Sequence, residues 1–234
     1  YVFGQKVELI YYLGVRINLR RFIFYLGIFV FSGGVVLGFL NDRYGILFDA
    51  YNAVRPKLVQ SGGEACLRTL EQMNIKFKHL GNVEEKSCLI KNAVRIDKLP
   101  RTNLSSGITL NCKTAIDFAN WAEEIEANNI VHMGSYNCRK MRSLNIMSEH
   151  SFGTAIDIAS VDGASVKQDW RKQNLEGDKI RESAKAGCRH FSNVITPDDD
   201  TLHHDHLHLD NGYRSTCLPG WINKIKKEVL KYAP

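Results

Sequence analysis

The chain has 234 residues, of which 44% are hydrophobic and 24% charged, a balance that excludes collagen-like, low-complexity and wholly disordered chains. The length allows one domain of moderate size, with or without an appendage. Of the net charge of +6, half sits in the first forty residues, where Lys6, Arg16, Arg20 and Arg21 face Glu8 alone, so the rest is only mildly basic and argues against a dedicated nucleic-acid binder.

Residues 1–21 end in a basic cluster, and 22–40 (FIFYLGIFVFSGGVVLGFL) carry no charge. At about 1.5 Å per residue a helix of that length spans roughly 28 Å, close to the roughly 30 Å of a bilayer's hydrocarbon core. The pattern predicts an uncleaved transmembrane signal anchor, with residues 1–21 in the cytoplasm and the rest across the membrane. A cleaved signal peptide is the competing reading, but its apolar run is usually shorter, and Val36-Leu37-Gly38 is a poor small-x-small site. A buried core helix is a third reading, opposed by a run that is apolar all round.

Residues 41–62 lack hydrophobic periodicity and read as a tether. Residues 64–73 have helical spacing, with Cys66, Leu67 and Leu70 on one face. Residues 75–77 read as a strand, 88–99 as short apolar pieces stopped by Pro100, and 108–110 as a strand. Residues 113–128 form the clearest amphipathic helix, with Ala115, Ile116, Phe118, Ala119, Ala122 and Ile125 inward. Strands are expected at 130–133, 153–159 and 206–210, and a last helix at 221–232. This order predicts an α+β fold: a small antiparallel sheet flanked by helices, preceded by one transmembrane helix.

The six cysteines, Cys66, Cys88, Cys112, Cys138, Cys188 and Cys217, contain no CxxC pair, which excludes zinc-ribbon and thioredoxin readings. All follow the apolar run, so an oxidising compartment would make them three disulfides rather than buried thiols. Pairing sequence neighbours gives Cys66–Cys88, Cys112–Cys138 and Cys188–Cys217 among about fifteen connectivities.

Two segments carry chemistry. In 206–210 strand alternation puts His206, His208 and Asp210 on one face and Leu207 and Leu209 on the other. In 153–159 it puts Asp157 between the small Ala155 and Ala159, with His150 in the preceding turn and Gly153 letting that turn fold back. One carboxylate oxygen and two imidazole nitrogens make a three-ligand set that leaves a position for water, as catalytic zinc is held. The rival reading is a solvated histidine patch that scavenges metal. Asp210 is read either as orienting a ligand imidazole or as capping a turn.

The run Ser148-x-His150-x-x-Gly153-x-Ala155-x-Asp157 with the later His206-x-His208 resembles the superfamily of lysostaphin-type peptidases, D-Ala-D-Ala carboxypeptidases and hedgehog domains. More narrowly, residues 63–217 resemble the bacterial extensin-like C-terminal domain, through Gly134-Ser135-Tyr136-Asn137-Cys138-Arg139, Gly187-Cys188-Arg189-His190-Phe191 and Asp205-His206-Leu207-His208-Leu209-Asp210. The resemblance implies one Zn2+ per chain, held by His150, Asp157 and His208. It implies a general base at Asp205, as in the carboxypeptidase branch, or at His206, as in the lysostaphin branch. It places Arg139 toward substrate or the developing oxyanion, with Arg142 as substitute, and assigns His203 and His204 no role, so they read as loop.

The expected function is a zinc-dependent peptidase acting on peptidoglycan peptides, an endopeptidase or carboxypeptidase at bonds involving D-amino acids. Residues 63–234 form its domain, facing the periplasm from a single-pass inner-membrane anchor, with no nucleic-acid partner. The alternatives are a catalytically idle wall- or protein-binding module of the same fold, and a disulfide-rich structural domain.

Overall fold

A computed structural model describes residues 46–142, 144–212, 216 and 217. The anchor expected at 22–40 and the helix expected at 221–232 lie outside the described residues. Among the described residues no helix is long and apolar enough to cross a membrane. The chain divides into two compact units, Tyr1–Ala50 and Tyr51–Pro234, and the second holds the sheet.

The elements are helix α1 (Ile46–Leu58), helix α2 (Gly63–Gln72), strands β1 (Phe77–Glu85), β2 (Cys88–Lys98) and β3 (Asn103–Asn111), helix α3 (Cys112–Glu124), strand β4 (Asn129–Gly134), a 3-10 turn (Glu149–Phe152), strands β5 (Ala155–Val161) and β6 (Ala164–Ser165), helices α4 (Val166–Asp169) and α5 (Leu175–Gly187), strand β7 (Asn193–Ile195), a second 3-10 turn (Thr201–His203), and strand β8 (Leu207–Asp210). The fold is α+β, but its sheet is larger than expected: among the described residues it has eight strands, in the order β1-β2-β3-β4-β5-β8-β7, with β6 on β5. Every pairing is antiparallel except β3 with β4, which α3 joins as a crossover.

Helix α3 is capped by the Asn111 side chain, which accepts from the Thr114 amide. It ends four residues before the expected boundary. Glu126 adopts a left-handed φ of 50°, and the Ala127 amide bonds back to the Ala122 carbonyl, so the chain turns out of the helix. Phe118 and Trp121 of α3, Ile180 of α5, Ile156 and Ile158 of β5, and Leu207 and Leu209 of β8 are fully buried in one cluster. Each such side chain contributes on the order of 1.5–3 kcal/mol. The alternation that sends these residues into the core turns Asp157 and His208 to the opposite face, as the sequence predicts.

Four expectations are corrected. The 41–62 tether contains α1, and Tyr51, Asn52 and Arg55 of that helix are bonded into the domain. The apolar pieces of 88–99 are one eleven-residue strand, and the strand expected at 75–77 runs instead over Phe77–Glu85 at the sheet edge, where its exposed, polar composition hides it. Two disulfides are exchanged: Cys66 joins Cys112 and Cys88 joins Cys138, while Cys188–Cys217 stands as expected. Packing decides this. Helix α2 lies along α3, so Cys66 faces the first residue of α3 with its Cα 6.1 Å away. Cys88 opens β2 in a separate small cluster with Val59, Met147 and Phe152, against which Cys138 packs.

Candidate metal centre

His150 sits in the one-turn 3-10 helix before β5. That turn closes through Gly153 at φ 65°, where a Cβ would lie 2.8 Å from both the Asn111 amide nitrogen and a methyl of Ile90. The His150 side chain is only 3% exposed, and its Nδ1 donates to the Ser135 carbonyl at 2.5 Å, which turns Nε2 toward Asp157 and His208. Asp157 lies mid-β5, directly opposite Gly134 of β4 and His208 of β8.

The three expected ligands converge. His150 Nε2 lies 3.2 Å from His208 Nδ1 and 3.2 Å from Asp157 Oδ2, and His208 Nδ1 lies 2.8 Å from Asp157 Oδ1. All the ligand atoms fall within 4.8 Å of one another. Zinc bonds of about 2.0–2.1 Å at tetrahedral angles require ligand atoms roughly 3.3 Å apart, so the set fits zinc with little rearrangement. Two imidazoles and one carboxylate are donors that zinc accepts and that magnesium or calcium would not select.

The second layer holds both rings. Asp210 Oδ2 accepts from His208 Nε2 at 3.0 Å, while its Oδ1 accepts from Asn193 Nδ2 at 3.1 Å and from the Gly212 amide at 2.5 Å. Asp210 therefore fills both roles read for it, one with each oxygen. Such carboxylate partners fix the tautomer and raise the basicity of a ligating imidazole.

Without metal, the two carboxylates share His208. Burial alone would lower the His208 pKa, but the hydrogen bonds to Asp157 and Asp210 outweigh it and push it up to about 10. Burial alone would raise the Asp157 pKa, but the hydrogen bonds from His150 and His208 hold it far below the usual carboxylate range. The His208 contribution to metal-free stability is thus complete below the ordinary histidine pKa of about 6.5 and fades as the pH rises through about 10. That of Asp157 is complete above the carboxylate range and is lost in acid. Zinc bound by this set would have to displace the proton on His208 Nδ1, so its apparent affinity would be expected to rise about tenfold per pH unit between roughly pH 6.5 and 9, with about one proton released per ion. Calorimetry in buffers of different ionisation enthalpy measures that release; zero protons at pH 7 would mean that His208 enters the site already neutral.

Around the ligands, sequence and structure part in places. His206 precedes β8 rather than lying within it. Its Nε2 faces Asp157 Oδ1 at 3.5 Å, and its Nδ1 donates to Asp205 Oδ1 at 2.8 Å. That bond lowers the Asp205 pKa. Arg139 is exposed: its backbone is tied to the His150 turn through Ser151 Oγ and the Ser148 amide, and its guanidinium bonds the Lys140 carbonyl. Arg142 is exposed as well. His204 is a surface residue near Asp205.

His203, by contrast, is no bystander. Asp200 accepts from its Nδ1 at 2.7 Å, and its ring centre lies 5.0 Å from that of His206 and 5.6 Å from that of His208. Only the 203–206–208 histidine spacing could have signalled this.

The model of the family described as extensin-like protein C-terminus matches residues 64–218. No curated protein and no solved structure matches the chain.

Proposed function

The chain belongs to the extensin-like protein C-terminus family, and from that premise we propose that it is a zinc-dependent peptidase of the lysostaphin and D-Ala-D-Ala carboxypeptidase type, cleaving peptidoglycan peptides in the periplasm from an inner-membrane anchor. The observation that carries this reading is the convergence of His150 Nε2, an Asp157 oxygen and His208 Nδ1, with both rings fixed by Ser135 and Asp210. Those three side chains would hold one zinc ion. Zinc held there supplies Lewis acidity toward a scissile carbonyl and brings the pKa of water near 7.

The chain supplies the proton transfers. His206 Nε2 faces the ligand set and takes the proton of the attacking water, then returns it to the leaving amine. Asp205 keeps the His206 Nδ1–H donor in place, which sets the tautomer that leaves Nε2 basic. The mild positive charge suits a carboxylate-rich substrate.

His206→Ala is expected to keep its zinc and to lose about 10²–10⁴ in kcat, with Asp205→Asn losing less, on the order of tenfold. Metal content measured beside turnover reads both. A fully active His206→Ala with an inactive Asp205→Asn would make Asp205 the base.

The rival reading is a wall-binding module with an idle metal site. The His206–Asp205 pair facing the ligands favours the enzyme, because idling would require only one loss there. Purified sacculi incubated with the protein, with and without chelator, separate the two. Metal-dependent muropeptide release supports the peptidase, and binding without products supports the module.

A further inference from the structure

We propose that Arg55, on helix α1 and ahead of the family-matched residues, is a positioning residue for the metal site, acting through Glu149 on His150. This rests on the three-ligand metal site but not on peptide hydrolysis.

The contacts form one chain of polar atoms. Arg55 Nε donates to Glu149 Oε1 at 3.0 Å and Nη2 donates to Glu149 Oε2 at 2.5 Å, a two-pronged pair with side chains 7% and 13% exposed. Tyr51 Oη donates to Glu149 Oε1 at 3.1 Å, and Thr154 Oγ1 donates to Glu149 Oε2 at 2.6 Å. The guanidinium also lies over the Phe152 ring, 5.5 Å from its centre. Glu149 is the residue before the His150 ligand, and Thr154 is the residue before β5, which carries Asp157. Glu149 therefore spans the turn between two ligands. Its carbonyl accepts from the Thr154 amide and from Thr154 Oγ1 as well.

The third ligand is reached from the same cation. Arg55 Nη2 donates to the Asn211 carbonyl at 3.4 Å, and the Asn211 amide donates to the Thr154 carbonyl at 3.0 Å. Asn211 follows Asp210, which holds His208 Nε2. One turn earlier on α1, Asn52 accepts from the Met147 amide at 2.7 Å and donates to the Asn145 carbonyl at 3.1 Å, pinning the approach to the His150 turn. No exposed pair could do this, because long solvated side chains keep their freedom. A buried two-pronged pair removes that freedom, and the ligand turn inherits its register.

The test is zinc affinity, read by competition with a chromogenic chelator, beside the visible spectrum of the cobalt(II)-loaded full-length chain. Arg55→Met is expected to raise the zinc Kd by about tenfold or more and to shift the cobalt bands, with Arg55→Lys in between, since lysine keeps the charge but not the fork. Leu70→Ala, which opens the core on α2, supplies a comparable loss of melting temperature with Kd changed less than about twofold. A Kd and cobalt spectrum for Arg55→Met no different from those of Leu70→Ala would overturn the proposal, leaving the metal site itself untouched. If Arg55→Met alone does not fold, the double variant Arg55→Met/Glu149→Gln, which leaves no unpaired buried charge, is read by the same two outcomes. A wild-type chain that binds no zinc would overturn this inference and the peptidase reading together.

Discussion

His208→Ala is expected to lose zinc and any hydrolytic activity in one step. Three protein ligands share a binding free energy that for complete zinc sites is about 10–16 kcal/mol, so removing one costs on the order of 4 kcal/mol, or about 10³-fold in affinity. The effect should exceed that of any neighbouring substitution, because His208 is also the hub of the second layer. Its Nδ1 meets Asp157 and its Nε2 meets Asp210, both largely removed from solvent. Alanine leaves those two carboxylates facing each other across a cavity, so some loss of stability is expected as well. Metal analysis and melting temperature, measured together on the dialysed variant, separate the two effects. Asp157→Asn, which preserves shape and removes only the charge, should show the zinc loss with the smaller cost in stability. A His208→Ala protein that retains stoichiometric zinc would remove His208 from the ligand set.

Reduction of the disulfides is the second large effect. The three bridges join residues 46, 50 and 29 apart in sequence. In the chain-entropy picture each loop of that size is stabilised by about 4 kcal/mol, and native bridges in small exported domains contribute about 2–5 kcal/mol. Together they rival the roughly 5–15 kcal/mol of net stability that a domain possesses. The reduced protein is therefore expected to be largely unfolded at 25 °C, and the Cys88→Ser/Cys138→Ser pair alone to lower stability by about 2–4 kcal/mol. Denaturant titration with and without reductant reads this. Non-reducing peptide mapping should return Cys66–Cys112, Cys88–Cys138 and Cys188–Cys217, and a Cys66–Cys88 peptide would contradict the packing of α2 on α3.

The cluster of His150, Asp157 and His208 was legible through the family resemblance, and strand alternation alone accounts for the direction of two of its members. Alternation in two short strands sends Ile156, Ile158, Leu207 and Leu209 inward, and so fixes which way Asp157 and His208 point before any tertiary contact is known. The clearest helix was legible from the apolar stripe of 113–128, though not its end, because a left-handed Glu126 leaves no mark in the pattern. The disulfide partners were not legible. They depend on which helix lies beside which, and sequence proximity is a poor guide to that. Helix α5, with a polar composition and an Asn174 cap, carries too few apolar residues to stand out. Arg55, Tyr51 and His203 were missed because each gains meaning only from a partner far along the chain or across a turn. Arg55 and Glu149 are 94 residues apart. The one early signal for Tyr51 and Arg55 is the lack of any reason for a tether to carry them. Arg139 carries a role its place in the motif does not reveal: its backbone is tied to the His150 turn through Ser151 Oγ, while its exposed guanidinium bonds the Lys140 carbonyl.

The central claim is that two imidazoles and one carboxylate from separate turns and strands grip a single divalent cation. Zinc K-edge X-ray absorption on the full-length chain loaded with one equivalent of zinc tests it most directly. The account predicts a four-coordinate ion with two imidazole nitrogens and light oxygen neighbours at about 2.0–2.1 Å, and loss of one imidazole's scattering in His150→Ala. A spectrum with sulfur neighbours, with no imidazole scattering, or unchanged in that variant would contradict it.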